Sequence, residues 1–251
     1  MSGGIMASEN DINELKRQVA ESSHVLDHQG LVDFHGHISA RVPGTNTLYI
    51  KPVLRAHNQI KAEDIVGVDI DEYLAVGDAQ WVPDDQKGRV IDAPVPPRET
   101  ALHAAIMRER PDVNSVVHTH QLVATGIGAG NVPIKALYNQ AVPFAPETPI
   151  FEKPDLITTT ELGQQVAQTL GDRGAALLRG HGVVVVGGSM DESVSNTIYL
   201  ERAAMIQVIA AIVGNPTPLT EEYVARFGPD WSKRASHAYE YFKSLVPSLK
   251  S

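Results

Sequence analysis

The spacing of apolar residues predicts several amphipathic helices along the chain. Ile12, Leu15 and Val19 recur at helical spacing. They predict a first helix over residues 10–29, with Gly30 placed to end it. Similar periodicity after a polar or proline-containing start predicts four more helices. These cover residues 98–110, 158–170, 189–213 and 221–245.

Two of these helices begin with a capping-box pattern. Thr158 is followed three residues later by Glu161, and Ser189 is followed by Glu192. In this pattern each side chain satisfies a free backbone N–H at the helix start. The pattern predicts that the two helices begin at Thr158 and Ser189.

Short β-branched or alternating runs predict strands between the helices. The predicted strands cover residues 37–42, 48–53, 66–70, 114–120, 175–178 and 183–186. No linker, repeat or low-complexity segment divides the chain, so we expect residues 1–251 to form one domain, with residues 1–9 disordered. The element order predicts an α/β fold with a mostly antiparallel or mixed central sheet, covered by helices on both faces.

Charge and composition narrow the classes of partner. A net charge of −9 argues against nucleic acid or an anionic membrane as the main partner. A small anionic substrate remains compatible with it, because a metal ion and a few Arg or Lys residues can dominate one pocket. The first ten residues lack the features of a secretory leader, and no apolar run approaches about 18 residues. We therefore expect a cytoplasmic protein.

The absence of cysteine leaves histidine and carboxylates as the available metal ligands. His118 and His120 are two residues apart on a predicted strand, so their imidazoles lie on the same face and can bind one metal ion. His181, between Gly180 and Gly182 at the start of an apolar strand, is a candidate third ligand. The alternative for His181 is a turn histidine with an ordinary structural role.

Glu99 is a candidate for chemistry at such a site. It lies in the first predicted turn of its helix, where it is either a metal ligand and acid/base or a charge that stabilises the helix start. His103, one turn further on, is interpreted as a structural or supporting residue. His35 and His37 repeat the His-x-His spacing and compete for the metal, but we favour substrate contact or loop packing for them.

The order and spacing of these residues resemble a known family. The pattern is similar to the signature of the class II aldolase/adducin family. It consists of Glu99 with His103, then the runs 117–120 and 178–182, and then a long helix. The resemblance extends over nearly the whole chain. It implies a three-layer α/β/α domain and a homotetramer with active sites between neighbouring subunits.

The resemblance also implies residue roles. By position, His118, His120 and His181 bind one divalent metal ion per subunit, and Glu99 is the catalytic acid/base. The metal is zinc, manganese, iron or cobalt, because imidazole ligands suit all four. No organic cofactor is expected.

The substrate class follows from departures from the family pattern. The sugar-phosphate aldolases carry a Gly-Asn-x-Ser loop and a Ser-Gly loop that bind phosphate, whereas this chain has Gly-His-Ile-Ser at 36–39 and neither Ser nor Gly at 49–53. His35, Lys51 and Arg98 suit carboxylate and phenolate groups instead. For Arg98, a structural ion pair with Glu99 is an equal alternative.

The segments 27–33 and 94–99 are similar to the family's decarboxylases of hydroxylated aromatic dicarboxylates, built on a pyridine or a benzene ring. The predicted function is therefore a metal-dependent carbon–carbon lyase that removes carbon dioxide through a metal-stabilised enolate, with Glu99 as proton shuttle. The first alternative is a metal-dependent aldolase on a small non-phosphorylated hydroxy-carbonyl compound. The second is a non-catalytic adducin-like binding module.

Overall fold

The fold is a seven-stranded mixed sheet between two layers of helices. A computed structural model of the chain describes residues 7–76 and 95–250. The described strands are β1 (His37–Arg41), β2 (Thr47–Ile50), β3 (Val66–Asp69), β4 (Ser115–Thr119), β5 (Ile150–Phe151), β6 (Ala175–Leu178) and β7 (Gly182–Gly187). The described α-helices are α1 (Glu9–His28), α2 (Ile70–Val76), α3 (Thr100–Glu109), α4 (Leu122–Ala129), α5 (Thr160–Leu170), α6 (Met190–Val213), α7 (Glu221–Phe227) and α8 (Trp231–Leu245).

The strand order is β3-β2-β1-β4-β7-β6-β5. Every neighbouring pair is antiparallel except β5 and β6, which are parallel. The predicted α/β class with a mostly antiparallel central sheet is therefore confirmed. β4 lies at the centre, between β1 and β7, so the strand that contains His118 is paired on both sides.

Hydrophobic clusters pack the helices onto both faces of the sheet. On one face, α2, α3 and α5 pack against residues such as Val116 and Val184. On the other face, α1, α4, α6 and α8 pack against residues such as Ile38, Val117 and Val185. Side chains alternate along a strand, so the neighbours of Ile38 on β1 and of Val117 on β4 face the α3 layer.

Several predicted boundaries need correction. The cap of α5 is Thr159 and not Thr158, because its hydroxyl accepts the hydrogen bond from the backbone N–H of Leu162. Ser189 does cap α6, but the Glu192 carboxylate accepts from Gly188 N–H and does not complete a capping box. The predicted helix 221–245 is two helices, since a 3-10 turn over Gly228–Asp230 separates α7 from α8.

The N-terminal expectation is tested only in part. Residues 1–6 lie outside the described residues, as does Pro94, the first residue of the segment 94–99. Ser8, in contrast, caps α1 through a capping box with Asp11, so the first helix begins at Glu9, within the stretch predicted to be disordered. A polar Ser-x-x-Asp cap supplies the acceptors that the first backbone N–H groups need.

Helix α6 is long and apolar enough to cross a membrane, judged by length and composition alone. Its first half is buried in the core, where Val194, Ile198 and Leu200 contact the sheet and the neighbouring helices. Core helices of soluble proteins meet the same criterion. Its last turns expose apolar side chains, including Ile212 and Val213.

The contact between α3 and α5 gives a test of the fold. A Cβ atom added at Gly163 would lie 2.6 Å from the carbonyl oxygen of Ala101 and 2.9 Å from the Cβ of Ala105. We expect Gly163→Ala to lower the free energy of unfolding by about 1–3 kcal/mol, because the helices must separate. Urea denaturation at fixed protein concentration measures the change.

Gly126→Ala is the matched control for this substitution. Gly126 lies inside α4, and a Cβ atom there meets nothing within 4 Å. We expect it to raise stability by about 0.5–1 kcal/mol, because alanine loses less backbone entropy in a helix. Equal effects of the two substitutions would contradict the close packing of α3 on α5.

Candidate functional site

The register of the central strands brings the site together. His118 on β4 lies directly opposite His37 on β1 and, on its other side, opposite Val184 on β7. Both imidazoles face the α3 layer, where Glu99 immediately precedes the helix and His103 lies within it. The site is therefore formed where two central strands, one helix start and the turn before β7 converge.

Three imidazoles form one cluster. Each of His118, His120 and His181 offers a ring nitrogen, and these atoms lie within 4.8 Å of one another. The Nε2 atoms of His118 and His120 are 3.0 Å apart. Two nitrogens that bind one tetrahedral zinc ion at about 2.0–2.1 Å lie about 3.3 Å from each other, which is close to this spacing. Both ring nitrogens of His181 are buried without a hydrogen-bond partner. Such unsatisfied nitrogens fit a metal ion.

The surrounding backbone orients this cluster. His118 Nδ1 donates to the carbonyl oxygen of Val183 at 2.9 Å, which leaves its Nε2 lone pair directed at the other imidazoles. Only glycine fits at position 182, because a Cβ atom there would lie 2.5 Å from Thr119 O and 2.7 Å from the His120 ring. The glycine after His181 thus lets the turn approach the histidine pair.

Burial keeps these rings in the form that binds metals. Burial lowers the pKa of His118 well below its ordinary value, and it lowers the pKa of His120 to about 4. Both imidazoles are therefore neutral at pH 7. Neutral imidazole is the form that coordinates a divalent cation without first losing a proton.

Glu99 lies against the cluster as a buried carboxylate. Its Oε1 is 3.4 Å from His181 Nε2 and accepts a 2.8 Å hydrogen bond from the backbone N–H of Ile157. Its Oε2 is 3.7 Å from His118 Nε2. Burial by itself raises the pKa of Glu99, but the imidazoles of His181 and His37 outweigh burial and hold this pKa well below the usual range. Glu99 is thus ionised at neutral pH.

A cavity of about 410 Å³ opens beside Glu99. Its apolar walls consist of Phe34, Pro52, Val53, Leu54, Pro97 and Leu156. Its polar lining consists of His35, His37, Lys51, Arg98, Glu99 and Thr158. Glu99 lines the cavity and also lies against the histidine cluster, so it connects the candidate metal site to the candidate substrate site.

Lys51 is the buried positive charge of the cavity. It is only 3% exposed, and its ammonium donates to the backbone carbonyl of Pro52 at 3.1 Å. Within the described part of the chain, no carboxylate lies within 4.0 Å of it. Burial lowers the pKa of Lys51 to about 8. A buried ammonium without a counterion is suited to an anionic ligand.

The other two predicted substrate residues lie at the cavity mouth. Arg98 and His35 are both exposed, and the His35 ring lies 5.6 Å from the ring of His120. Within the described ranges, Arg98 forms no ion pair with Glu99. Among the described residues the structural ion-pair alternative is therefore not observed, and Arg98 lines the cavity.

Sequence reasoning missed two parts of this site. One is the contact between His37 and His103: His37 begins β1, as the predicted strand 37–42 does, and its Nδ1 lies 2.8 Å from Nε2 of His103. The signal available in the sequence was the four-residue spacing of Glu99 and His103, which places His103 on the same side of its helix as Glu99. The backbone N–H of Ile157 leaves no signature in the sequence, since any residue except proline provides one.

The sequence is similar to a known family and to named enzymes. Residues 17–208 match the family model for the class II aldolase and adducin N-terminal domain. The chain is 32% identical to 3,4-dihydroxyphthalate decarboxylase from Arthrobacter keyseri over 209 residues, which cover 78% of this chain and 79% of the relative. It is 28% identical to the enzyme of that name from Terrabacter sp. (strain DBF63), over 96% of this chain and 98% of the relative.

A solved structure shows the same fold. It is L-fuculose 1-phosphate aldolase from Glaciozyma antarctica PI12, with a TM-score of 0.77. The match covers 98% of this chain and 93% of the aldolase at 18% sequence identity. At this identity the likeness concerns the fold alone.

Metal binding gives a direct test of the histidine cluster. We expect one Zn²⁺ per chain in titration calorimetry, and stabilisation of about 2.7 kcal/mol when free metal is 100 times its dissociation constant. His120→Ala should abolish this, because two imidazoles remain. His28→Ala, at an exposed position on α1, is the control and should bind as the parent does. Equal zinc binding by the His120 variant would rule out the cluster as the site.

Proposed function

The chain belongs to the class II aldolase/adducin family, and from this we propose that it is a divalent-metal-dependent decarboxylase of hydroxylated aromatic ortho-dicarboxylates. It is an enzyme, a lyase. One observation carries the proposal. Glu99 lies between the cluster of His118, His120 and His181 on one side and, on the other, a cavity with a buried, unpaired Lys51.

The cavity supports an aromatic dianion as substrate. Its walls include Phe34, Leu54 and Leu156, which suit the faces of a flat ring. Lys51 inside the cavity and Arg98 at its mouth provide positive charge for carboxylates. His35 at the mouth is a further donor. An ortho-dicarboxylate offers one group toward the metal cluster and a second toward Lys51.

Glu99 is placed to carry the proton that the reaction needs. As an ionised carboxylate it accepts the proton of the substrate's ring hydroxyl. It then returns this proton to the ring carbon that bears the leaving carboxylate. The bond from that carbon to the carboxylate breaks, carbon dioxide leaves, and the electron pair restores the aromatic ring. A proton from solvent then restores the ring hydroxyl, so the net change is replacement of carboxylate by hydrogen.

A divalent metal held by His118, His120 and His181 would supply positive charge where electron density develops on the hydroxyl oxygen of the substrate. The protein residues prepare for this chemistry. The Ile157 N–H holds Oε1 of Glu99, which leaves Oε2 available for proton transfer. The apolar walls reduce the access of water, so the charged groups act in a medium of low polarity.

The sequence is also compatible with two other functions. An aldolase acting on a small non-phosphorylated hydroxy-carbonyl compound would use the same four residues and release an aldehyde. An adducin-like binding module needs neither the metal cluster nor Glu99. The similarity to decarboxylases, together with Lys51 in the cavity, favours the first proposal.

We also propose that the enzyme is a homo-oligomer, a tetramer as the family resemblance implies. The exposed end of α6 supports an assembly, since Met205 is 45% exposed, Ile209 52% and Ile212 77%. Apolar residues clustered on one helix face are typical of protein interfaces.

Product analysis separates the decarboxylase from the aldolase. We expect the zinc-loaded protein to release carbon dioxide, and no aldehyde, from 3,4-dihydroxyphthalate. Glu99→Gln should lower kcat by about 10²–10⁴-fold, because the amide cannot accept the proton. Glu63→Gln, at an exposed acidic residue, is the control. Aldehyde release from hydroxy-carbonyl compounds without any carbon dioxide would instead establish the aldolase.

Lys51 gives a prediction of pH dependence. Its pKa of about 8 means that its charge is present below that pH and lost above it. We expect kcat/KM to fall as pH rises through about 8, since the free enzyme then loses its partner for a carboxylate. Lys51→Met should raise KM about 10- to 100-fold and remove this limb of the pH profile.

Lys61→Met is the matched control, because that lysine has a side chain 71% exposed and does not line the cavity. It should leave KM and the pH profile as in the parent. A Lys51 variant that retains the alkaline decline would assign the decline to another group.

A further inference from the structure

A buried chain of three side chains leads from the core to the cavity. Ser39 Oγ lies 2.7 Å from Nδ1 of His103, and Nε2 of His103 lies 2.8 Å from Nδ1 of His37. Ser39 and His103 are fully buried, and His37 is 7% exposed where it lines the cavity. The remaining nitrogen of His37, Nε2, lies 3.6 Å from Oε2 of Glu99.

The hydrogen atoms of this chain can be arranged in two ways. A neutral imidazole carries a single N–H, so of the two ring nitrogens 2.8 Å apart one carries hydrogen and the other a lone pair. In one arrangement Ser39 donates to His103, His103 donates to His37, and the His37 hydrogen is on Nε2. In the other arrangement every bond is reversed, and His37 Nε2 carries a lone pair.

Two observations select the first arrangement. In the reversed arrangement the Ser39 hydroxyl hydrogen is buried without an acceptor, since among the described residues its oxygen has no partner except His103. The reversed arrangement also directs the Nε2 lone pair of His37 at the carboxylate of Glu99. An unpaired buried hydroxyl costs about 1–3 kcal/mol, and lone-pair repulsion adds to this. The first arrangement has neither cost.

We propose that Ser39 and His103 fix His37 as the tautomer with hydrogen on Nε2. This N–H lies 3.6 Å from Oε2 of Glu99, too far for a hydrogen bond, so it binds an anionic oxygen of the substrate, and His37 is not a metal ligand. The substrate part rests on the proposed function. His37, Glu99 and His118 also place three possible ligand atoms within 4.8 Å of one another, so a second metal position is the competing interpretation. A ring nitrogen that carries hydrogen cannot coordinate a metal ion.

The tautomer can be measured without any activity. In protein labelled with ¹⁵N-histidine, the nitrogen that carries hydrogen and the bare nitrogen resonate far apart, and His37→Gln identifies the His37 signals among the ten histidines. We expect His37 to carry hydrogen on Nε2, both in the metal-free protein and after addition of Zn²⁺. Hydrogen on Nδ1 in either state would overturn the assignment.

Ser39→Ala tests whether the chain sets the tautomer. The substitution removes one hydroxyl that donates to His103 and leaves the volume of the site nearly unchanged. We expect signals of the Nδ1–H form of His37 to appear, and KM to rise about 3- to 10-fold because less of the protein presents the donor. Unchanged His37 signals in this variant would refute the positioning role of Ser39.

Two substitutions at position 37 test the donor itself. His37→Gln retains an amide N–H near the place of Nε2–H, whereas His37→Phe retains a ring without a donor. We expect His37→Phe to lower kcat/KM by about 10- to 100-fold, mainly through KM, and His37→Gln to lower it less. Equal losses in the two variants would contradict a donor role.

Zinc content separates failure of this inference from failure of the proposed function. Both position-37 variants should bind as much Zn²⁺ as the parent, whereas a metal-ligand role for His37 predicts loss of metal in both. If 3,4-dihydroxyphthalate is not decarboxylated at all, the proposed substrate is wrong, and the His37 tautomer is still decided by the ¹⁵N spectra.

Discussion

The register of β1, β4 and β7 is the constraint on which the rest of the site depends. Pairing of His37 with His118 places two imidazoles side by side on the face toward α3, while Ile38 and Val117 fill the core on the opposite face. A shift by one residue would exchange the two faces, burying polar rings in the apolar core and exposing valines to the cavity. The same register that stabilises the hydrophobic core therefore fixes the positions of the chemical groups.

The electrostatics of the site follow from this enclosure. Burial favours neutral imidazoles, and among the described residues that line the cavity the buried charges are the Glu99 carboxylate and the Lys51 ammonium. Glu99 is stabilised by a backbone N–H and by neighbouring imidazoles, whereas the only hydrogen-bond partner of the Lys51 ammonium among the described residues is the Pro52 carbonyl. The negative group, Glu99, thus has its hydrogen-bonding partners within the protein, whereas the positive group, Lys51, lacks a counterion among the described residues. This difference favours an anionic ligand over a neutral sugar.

Much of this arrangement was predictable from the sequence, for identifiable physical reasons. His118 and His120 share a face because side chains alternate along a strand, and Gly182 follows His181 because the turn must approach that pair closely. The link between His37 and His103 was not predictable, because it joins side chains 66 positions apart through a strand order that local patterns do not encode. The break between α7 and α8 was missed although the sequence marks it, because the proline of Gly-Pro-Asp cannot continue the preceding helix.

The uncompensated charge of Lys51 has a consequence for how ligands can be found. Enclosing an ammonium without a counterion makes the free protein less stable than its core allows, and an anion that reaches the ammonium restores this difference. Folding and recognition are thereby coupled through one side chain. A collection of carboxylic acids can therefore be ranked by how far each raises the melting temperature, before any turnover is detected and without assuming which bond the enzyme breaks.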